Sequence, residues 1–137
     1  NLDNESVANN YATWAKEERK RIPGFGHRIH KNDPRTKIIL DYANELGFEG
    51  EYIKIIYALQ ESIKNIFGKE LPINVDGAIA GILCEMNFPE ELGNMFFIMS
   101  RIPGLIAHIY EEKTTQKPMR KIDPVNHTYT GHGERSI

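Results

Sequence analysis

Cys84 is the one cysteine in a chain of 137 residues. No disulfide can form within the chain, and a lone thiol inside an apolar segment is expected to pack and not to react. Excess charge is also missing: 17 Lys and Arg stand against 19 Asp and Glu, a net of −2. No face is forced to be basic, so nucleic acid is not an expected partner. No apolar run is expected to reach the roughly 18–20 residues that cross a bilayer, which sets membranes aside as well. The opening Asn1-Leu2-Asp3-Asn4-Glu5 has neither the basic nor the apolar region of a secretory signal. Sustained apolar–polar alternation, the mark of a half-buried strand, is absent. These exclusions leave an all-α, cytoplasmic chain with one modest core. Methionine is missing from position 1, and the chain reads like a piece of a longer polypeptide.

Helical periods fill most of the length. Val7, Tyr11, Trp14 and Ala15 recur at helical spacing within a first helix from Asn4 to Arg21, whose terminal Arg19-Lys20-Arg21 suits the helix dipole. Pro23-Gly24 stops it. Asp33-Pro34 starts a second helix, with Ile38, Ile39, Tyr42, Ala43 and Leu46 on its apolar face and Gly47 at its end. A third follows Gly50 and closes at Gly68. Asn74-Val75-Asp76 caps a fourth, apolar on nearly every side from Ala78 to Cys84 and therefore expected to be buried. Phe88-Pro89 opens a fifth helix to about Met99. Pro103-Gly104 breaks or kinks it, and a sixth runs to about Glu112. Beyond Thr114 turn formers and basic residues predict an irregular tail.

Chemistry concentrates in two places. Between the first two helices lies Pro23-Gly24-Phe25-Gly26-His27-Arg28-Ile29-His30-Lys31-Asn32-Asp33-Pro34-Arg35. Gly24 and Gly26 allow close backbone approach to a ligand, and exposed amides with Arg28 and Lys31 suit a phosphate or nucleotide; a plain helix connector fits the same residues. His27, among glycines and cations, reads either as a neutral catalytic imidazole or as an exposed loop residue. His27, His30 and Asp33 have a spacing compatible with metal ligation, and His127 and His132 offer further imidazoles, but the adjacent cations oppose a metal, and none is expected. Asp76 at the start of its apolar helix is either a cap or a partly desolvated base. Arg35 and Arg101 sit where a guanidinium needs an anion. That anion is either a substrate carboxylate or an internal partner such as Glu85 or Glu111.

In combination these segments are more specific than any one alone. Pro-Gly-Phe-Gly-His-Arg from Pro23, Asp-Pro-Arg from Asp33, Asn-Val-Asp-Gly from Asn74 and Ser-Arg-x-Pro-Gly-Leu-x-Ala-His from Ser100 resemble the C-terminal part of the citrate synthase superfamily. Citryl-CoA lyases and the C-terminal module of ATP-citrate lyases share the pattern. The resemblance runs from about Ile22 to Arg135. It implies the small domain of that fold (22–88), an N-terminal helix leading into it (1–21), and C-terminal helices and tail of the large domain (89–137). It implies His27 and Asp76 as catalytic residues, Arg35 and Arg101 as carboxylate-binding residues, and Pro23, Gly24, Phe25, Gly26, Arg28, Lys31 and Asn74 as coenzyme A contacts. The substrates implied are acetyl-CoA with oxaloacetate, or citryl-CoA, with no cofactor beyond the thioester itself and a homodimer as the assembled form.

Three departures refine this. The chain has no His-Gly-Gly, the family motif whose histidine supports the thioester carbonyl, so the isolated chain is expected to have little or no full activity. The loop from His27 to Arg35 is one residue shorter than in typical citrate synthases. The Arg-Pro-Arg that synthases carry before Tyr-Thr-Gly is replaced by Pro124-Val125-Asn126-His127 ahead of Tyr129-Thr130-Gly131. Arg120 is the nearest arginine on that side, and Met119-Arg120-Lys121-Ile122-Asp123-Pro124 is also lyase-like. The departures lean toward a citryl-CoA lyase. The alternatives are a citrate or 2-methylcitrate synthase and, from another class, a non-catalytic CoA-binding module or split subunit acting beside a partner chain. Cut free of the rest of the fold, the helices after Phe88 are expected to expose apolar surface and self-associate.

Overall fold

The computed structural model describes residues 3–29, 31–131 and 133. His30 and His132, two of the imidazoles considered as metal ligands, lie outside them. Among the described residues five α-helices form in order: α1 (Asn4–Glu17), α2 (Pro34–Glu45), α3 (Glu51–Phe67), α4 (Val75–Glu85) and α5 (Gly93–Thr115), the last preceded by a 3-10 turn, Glu90–Leu92. The extended pairing among the described residues is a single antiparallel bridge between Phe25 and Ile73. The class is all-α, as expected. The chain divides into two compact units, residues 1–100 and 101–137.

In the first unit α3 is the central element, packed on α1 and on α4, and α4 also meets α2. The α1 contact is made by alanines. Ala8, Ala12 and Ala15 are buried, while Val7, Tyr11 and Trp14 stay about 40% exposed (38%, 41% and 43%). The expected aromatic stripe is therefore not the packing face; small side chains let α1 lie close against α3, where Ile63 is 1% exposed. Asn9 accepts a hydrogen bond from the buried Ser62 hydroxyl (2.7 Å), and Lys16 reaches the Ile66 carbonyl.

Helix ends follow local turn chemistry. Asp3 caps α1 through the Ser6 amide (2.7 Å). The helix stops at Glu17, four residues short of the expected Arg21, because Arg19 turns left-handed (φ 53°) and the Lys20 amide folds back on the Ala15 carbonyl (2.8 Å). Gly50 has no side chain to cap α3. Glu85, from the last turn of α4, supplies that cap by accepting the Ile53 amide (2.9 Å). In α4 the residues Val75, Gly77, Ala78, Gly81 and Leu83 are buried, while Ile79 and Ile82 are half-buried and Ala80 is exposed. Burial is thus confined to one side of a helix expected to be enclosed all round. Cys84 is half-buried beside Glu90 and Glu85; burial foremost pushes its thiol pKa up, in keeping with a packing role.

α5 corrects the expectation of two helices. Pro103 lies inside one continuous helix and costs it a single amide donor. The Ser100 hydroxyl donates to the Phe97 carbonyl (2.8 Å) just ahead of it. With both halves joined, an 18-residue stretch within Glu90–Thr115 reaches a mean hydropathy of 1.2, which by length and composition alone is enough to cross a bilayer and departs from the expectation that no apolar run reaches that length. None of its residues is buried, and Met99, Leu105, Ile106 and Tyr110 are each at least half exposed.

In the second unit Arg120 grips Glu112 with Nε and Nη2 (3.0 and 2.6 Å). Asp123 accepts the Val125 and Asn126 amides in a tight turn (2.8 and 3.2 Å).

Candidate active site

The glycine loop is bound to the start of α4 by backbone. Gly26 donates to the Pro72 carbonyl (2.7 Å), and the Asn74 amide donates to the Gly24 carbonyl (3.0 Å). Gly24 sits at φ 87° and Gly26 at φ 75°, in the left-handed region that glycine enters without strain. A Cβ on Gly77 would lie 2.4 Å from the Gly24 oxygen. The two glycines are the condition for loop and helix to touch.

Asn74 holds the junction together. Its Oδ1 accepts the Asp76 and Gly77 amides (3.0 and 3.2 Å), making it the N-cap of α4, and its Nδ2 donates to the Gly26 carbonyl (2.8 Å). The capping role considered for Asp76 therefore belongs to Asn74. Asp76 occupies the second helical position with its side chain exposed, between the buried Val75 and Gly77. The enclosure expected around this carboxylate is not present: the packed side of α4 takes its two neighbours.

His27 is exposed in the loop, and its Nδ1 accepts the Ile29 amide (3.1 Å). Arg28, Ile29, Lys31 and Asn32 continue the loop along a cleft of ≈ 840 Å³, with His27 and Gly26 in the same wall. The opposite wall comes from α3 and the segment before α4: Gln60, Glu61, Lys64, Glu70, Leu71 and Pro72. Gln60 accepts the Ile73 amide (2.9 Å), and Lys64 pairs with Glu70 (2.8 Å). Sequence reading missed this wall. Its one signal was a pair of polar residues, Gln60 and Lys64, four apart on α3.

Arg35 finds its anion at short range. Its Nε and Nη2 bind the two carboxylate oxygens of Asp33 (2.9 and 2.8 Å). The internal partner is thus Asp33, and Glu85, the partner considered from sequence, is engaged at the α3 cap. Asp33 also accepts the Val75 amide (3.1 Å), the first of α4. The Arg35 side-chain bonds foremost hold the Asp33 carboxyl down at about 2, against the opposing effect of burial. The Arg35 pKa is raised, first by Asp33 and, less strongly, by the charge of Asp76. His27, Arg35, Asn74 and Asp76 are therefore gathered on one junction within the first unit. Arg101 is an exposed residue of α5 in the second unit. Among the described residues no three His, Cys, Asp or Glu side chains converge as a metal site would require.

Comparison with known proteins matches this architecture. The family model for the citrate synthase C-terminal domain covers residues 2–122. The citrate synthase of Corynebacterium glutamicum is 32% identical over 130 residues, 89% of this chain and 29% of that protein. The citrate synthase of Haloferax volcanii is 33% identical over 113 residues, 78% of this chain and 30% of that protein. Among solved structures, citryl-CoA lyase from Hydrogenobacter thermophilus superposes with a TM-score of 0.76 at 44% identity, over 95% of this chain and 52% of that one. Citrate synthase from Thermotoga maritima superposes at 0.67 with 25% identity, over 97% of this chain and 36% of that one. The chain spans about half of the lyase and under a third of the two curated citrate synthases. On the family match over residues 2–122, this chain belongs to the citrate synthase family.

Proposed function

We propose that this chain supplies the coenzyme A loop and the carbon acid–base groups of an enzyme that acts on the carbon–carbon bond of citryl-CoA, with cleavage as its working direction. The observation that carries the reading is the lock between Gly24, Asn74 and Gly77, which brings the loop of His27 against the start of the helix of Asp76. The 44% identity to a citryl-CoA lyase structure, against 25% to a citrate synthase structure, supports the lyase direction.

In cleavage, His27 takes the proton of the tertiary hydroxyl at Nε2, starting from the ring state that carries no proton there. The carbon–carbon bond then breaks, its electrons pass into the thioester as an enolate, and the former alcohol carbon becomes the oxaloacetate carbonyl. Asp76 returns a proton to the α-carbon and acetyl-CoA leaves. Condensation is the same path reversed: Asp76 removes the α-proton and His27 protonates the new alkoxide. The Ile29 amide donating to Nδ1 stabilises the electron-rich imidazole ring in the state that lacks the Nε2 proton. Arg35 holds a carboxylate of the acid and aligns its carbonyl with the nucleophilic carbon, and Arg101 is the further carboxylate-binding residue that the family resemblance implies. Arg28 and Lys31 meet phosphates of the coenzyme. Pro23, Gly24, Phe25 and Gly26 shape the backbone around it, and Asn74 holds that backbone in place at the pantetheine end. No resident cofactor or metal enters. The donor to the thioester oxygen comes from the family's His-Gly-Gly segment, outside this sequence.

The test takes the longest native form of the protein, defined by intact mass. Incubated with citryl-CoA, it is expected to release acetyl-CoA and oxaloacetate. Condensation of acetyl-CoA with oxaloacetate and release of free citrate would mark a synthase instead. A native form inert in both assays that still binds coenzyme A would mark a binding module.

A further inference from the structure

Asp33 is the one buried charged residue among the described residues, its side chain 1% exposed, and the chemistry above gives it no proton to move. It nevertheless accepts four hydrogen bonds. Oδ1 takes the Arg35 amide (3.1 Å) and Nε (2.9 Å); Oδ2 takes Arg35 Nη2 (2.8 Å) and the Val75 amide (3.1 Å). Nε and Nη2 define the side edge of the guanidinium. The end edge, Nη1 with the second hydrogen of Nη2, is left to face another carboxylate in fork geometry. The same oxygen that fixes Nη2 also fixes the first amide of the helix that carries Asp76.

We propose that Asp33 is a positioning residue that presets the end edge of Arg35 and ties it to the start of the Asp76 helix, so that its charge governs affinity for the dicarboxylate and leaves affinity for coenzyme A alone. The inference rests on the citryl-CoA reading. The selectivity follows from separate tethers. The coenzyme loop is held by Gly24, Gly26 and Asn74 through bonds that do not involve Asp33. Arg35 has only Asp33 to aim it among the ion pairs described. Asparagine in place of Asp33 would turn its amide N–H either toward the Arg35 amide and Nε or toward Arg35 Nη2 and the Val75 N–H, donor against donor in both cases, and the guanidinium would swing to water.

The experiment is calorimetric titration of oxaloacetate and of coenzyme A, separately, into the native protein and its Asp33→Asn variant. Oxaloacetate is expected to bind about ten- to a hundred-fold more weakly, as misaimed groups do, with coenzyme A within about two-fold of wild type, under 0.5 kcal/mol. Equal loss of both ligands, or loss of neither, overturns the inference. A wild-type protein that binds neither ligand overturns the citryl-CoA reading itself, a distinct result. If Asp33→Asn does not fold, Asp33→Glu replaces it, keeping the charge but displacing it by one methylene. The same selective loss is expected, and wild-type oxaloacetate affinity in Asp33→Glu would overturn the inference.

Discussion

Gly24 and Gly77 meet backbone to backbone: a Cβ on Gly24 would lie 2.9 Å from the Gly77 Cα, and one on Gly77 would lie 2.4 Å from the Gly24 oxygen. Neither obstruction is a flexible side chain that can move away. Gly77→Ala is therefore expected to push loop and helix apart, lowering stability by about 1–3 kcal/mol and weakening coenzyme A at least as much as oxaloacetate. Urea denaturation and ligand titration check both. An alanine variant with unchanged stability and affinity would mean the contact is not needed.

Asn74 has two separable functions. Asn74→Ala removes the cap and the loop tether together and is expected to cost about 1–2 kcal/mol. Asn74→Asp keeps the capping oxygen but places a second acceptor against the Gly26 carbonyl. It should retain most of the helix cap while lifting the loop, so coenzyme A affinity should fall more than stability does. Parallel denaturation and titration of the two variants separate cap from tether.

How far the sequence alone reveals this junction depends on the range of each interaction. Pro34, Gly47, Gly50 and Gly68 mark helix boundaries through local chemistry, and α2 and α3 begin and end within two residues of those marks. The end of α1 was not legible, because Arg19 takes a left-handed conformation that its residue type disfavours. Nor was the packing face of α1, since periodicity marks the larger Tyr11 and Trp14 while close approach to α3 selects Ala8, Ala12 and Ala15. Pro103 reads as a break, yet one lost donor does not end a helix of 23 residues. His27, Asp76 and Arg35 stood out by type and place. Asp33 stood out as a helix start, but its bond to the distant Val75 amide did not, and the polar pair Gln60 and Lys64 gains its meaning only from the fold-made cleft.

Acid should act on Asp33. Its folded pKa, about 2, lies below the ordinary 3.8, so the folded state binds this proton more weakly than the unfolded chain. The stabilisation is fully present above about pH 4 and is lost as pH falls toward 2. A shift of this size corresponds to about 2 kcal/mol. Between pH 5 and pH 2.5 the urea midpoint of wild type is expected to drop further than that of Asp33→Asn. Exposed carboxylates with lowered pKa, such as Glu70 and Glu112, are common to both proteins and cancel. Equal drops in the two proteins would contradict this assignment.

The exposed apolar residues of α5 predict association of this chain by itself. At micromolar concentration its sedimentation coefficient is expected to rise with loading. Paired lysines at Met99 and Ile106, 63% and 61% exposed, should abolish the rise without moving the thermal midpoint of the first unit. A wild-type monomer at every loading would contradict the prediction.

The most direct test of the account is citryl-CoA cleavage by the longest native form, compared with its Asp76→Asn variant. The prediction is release of acetyl-CoA and oxaloacetate by the wild type, with the variant slowed at least about a hundred-fold while still binding coenzyme A. Cleavage undiminished by Asp76→Asn would contradict the assignment of Asp76 as the group that handles the carbon-bound proton.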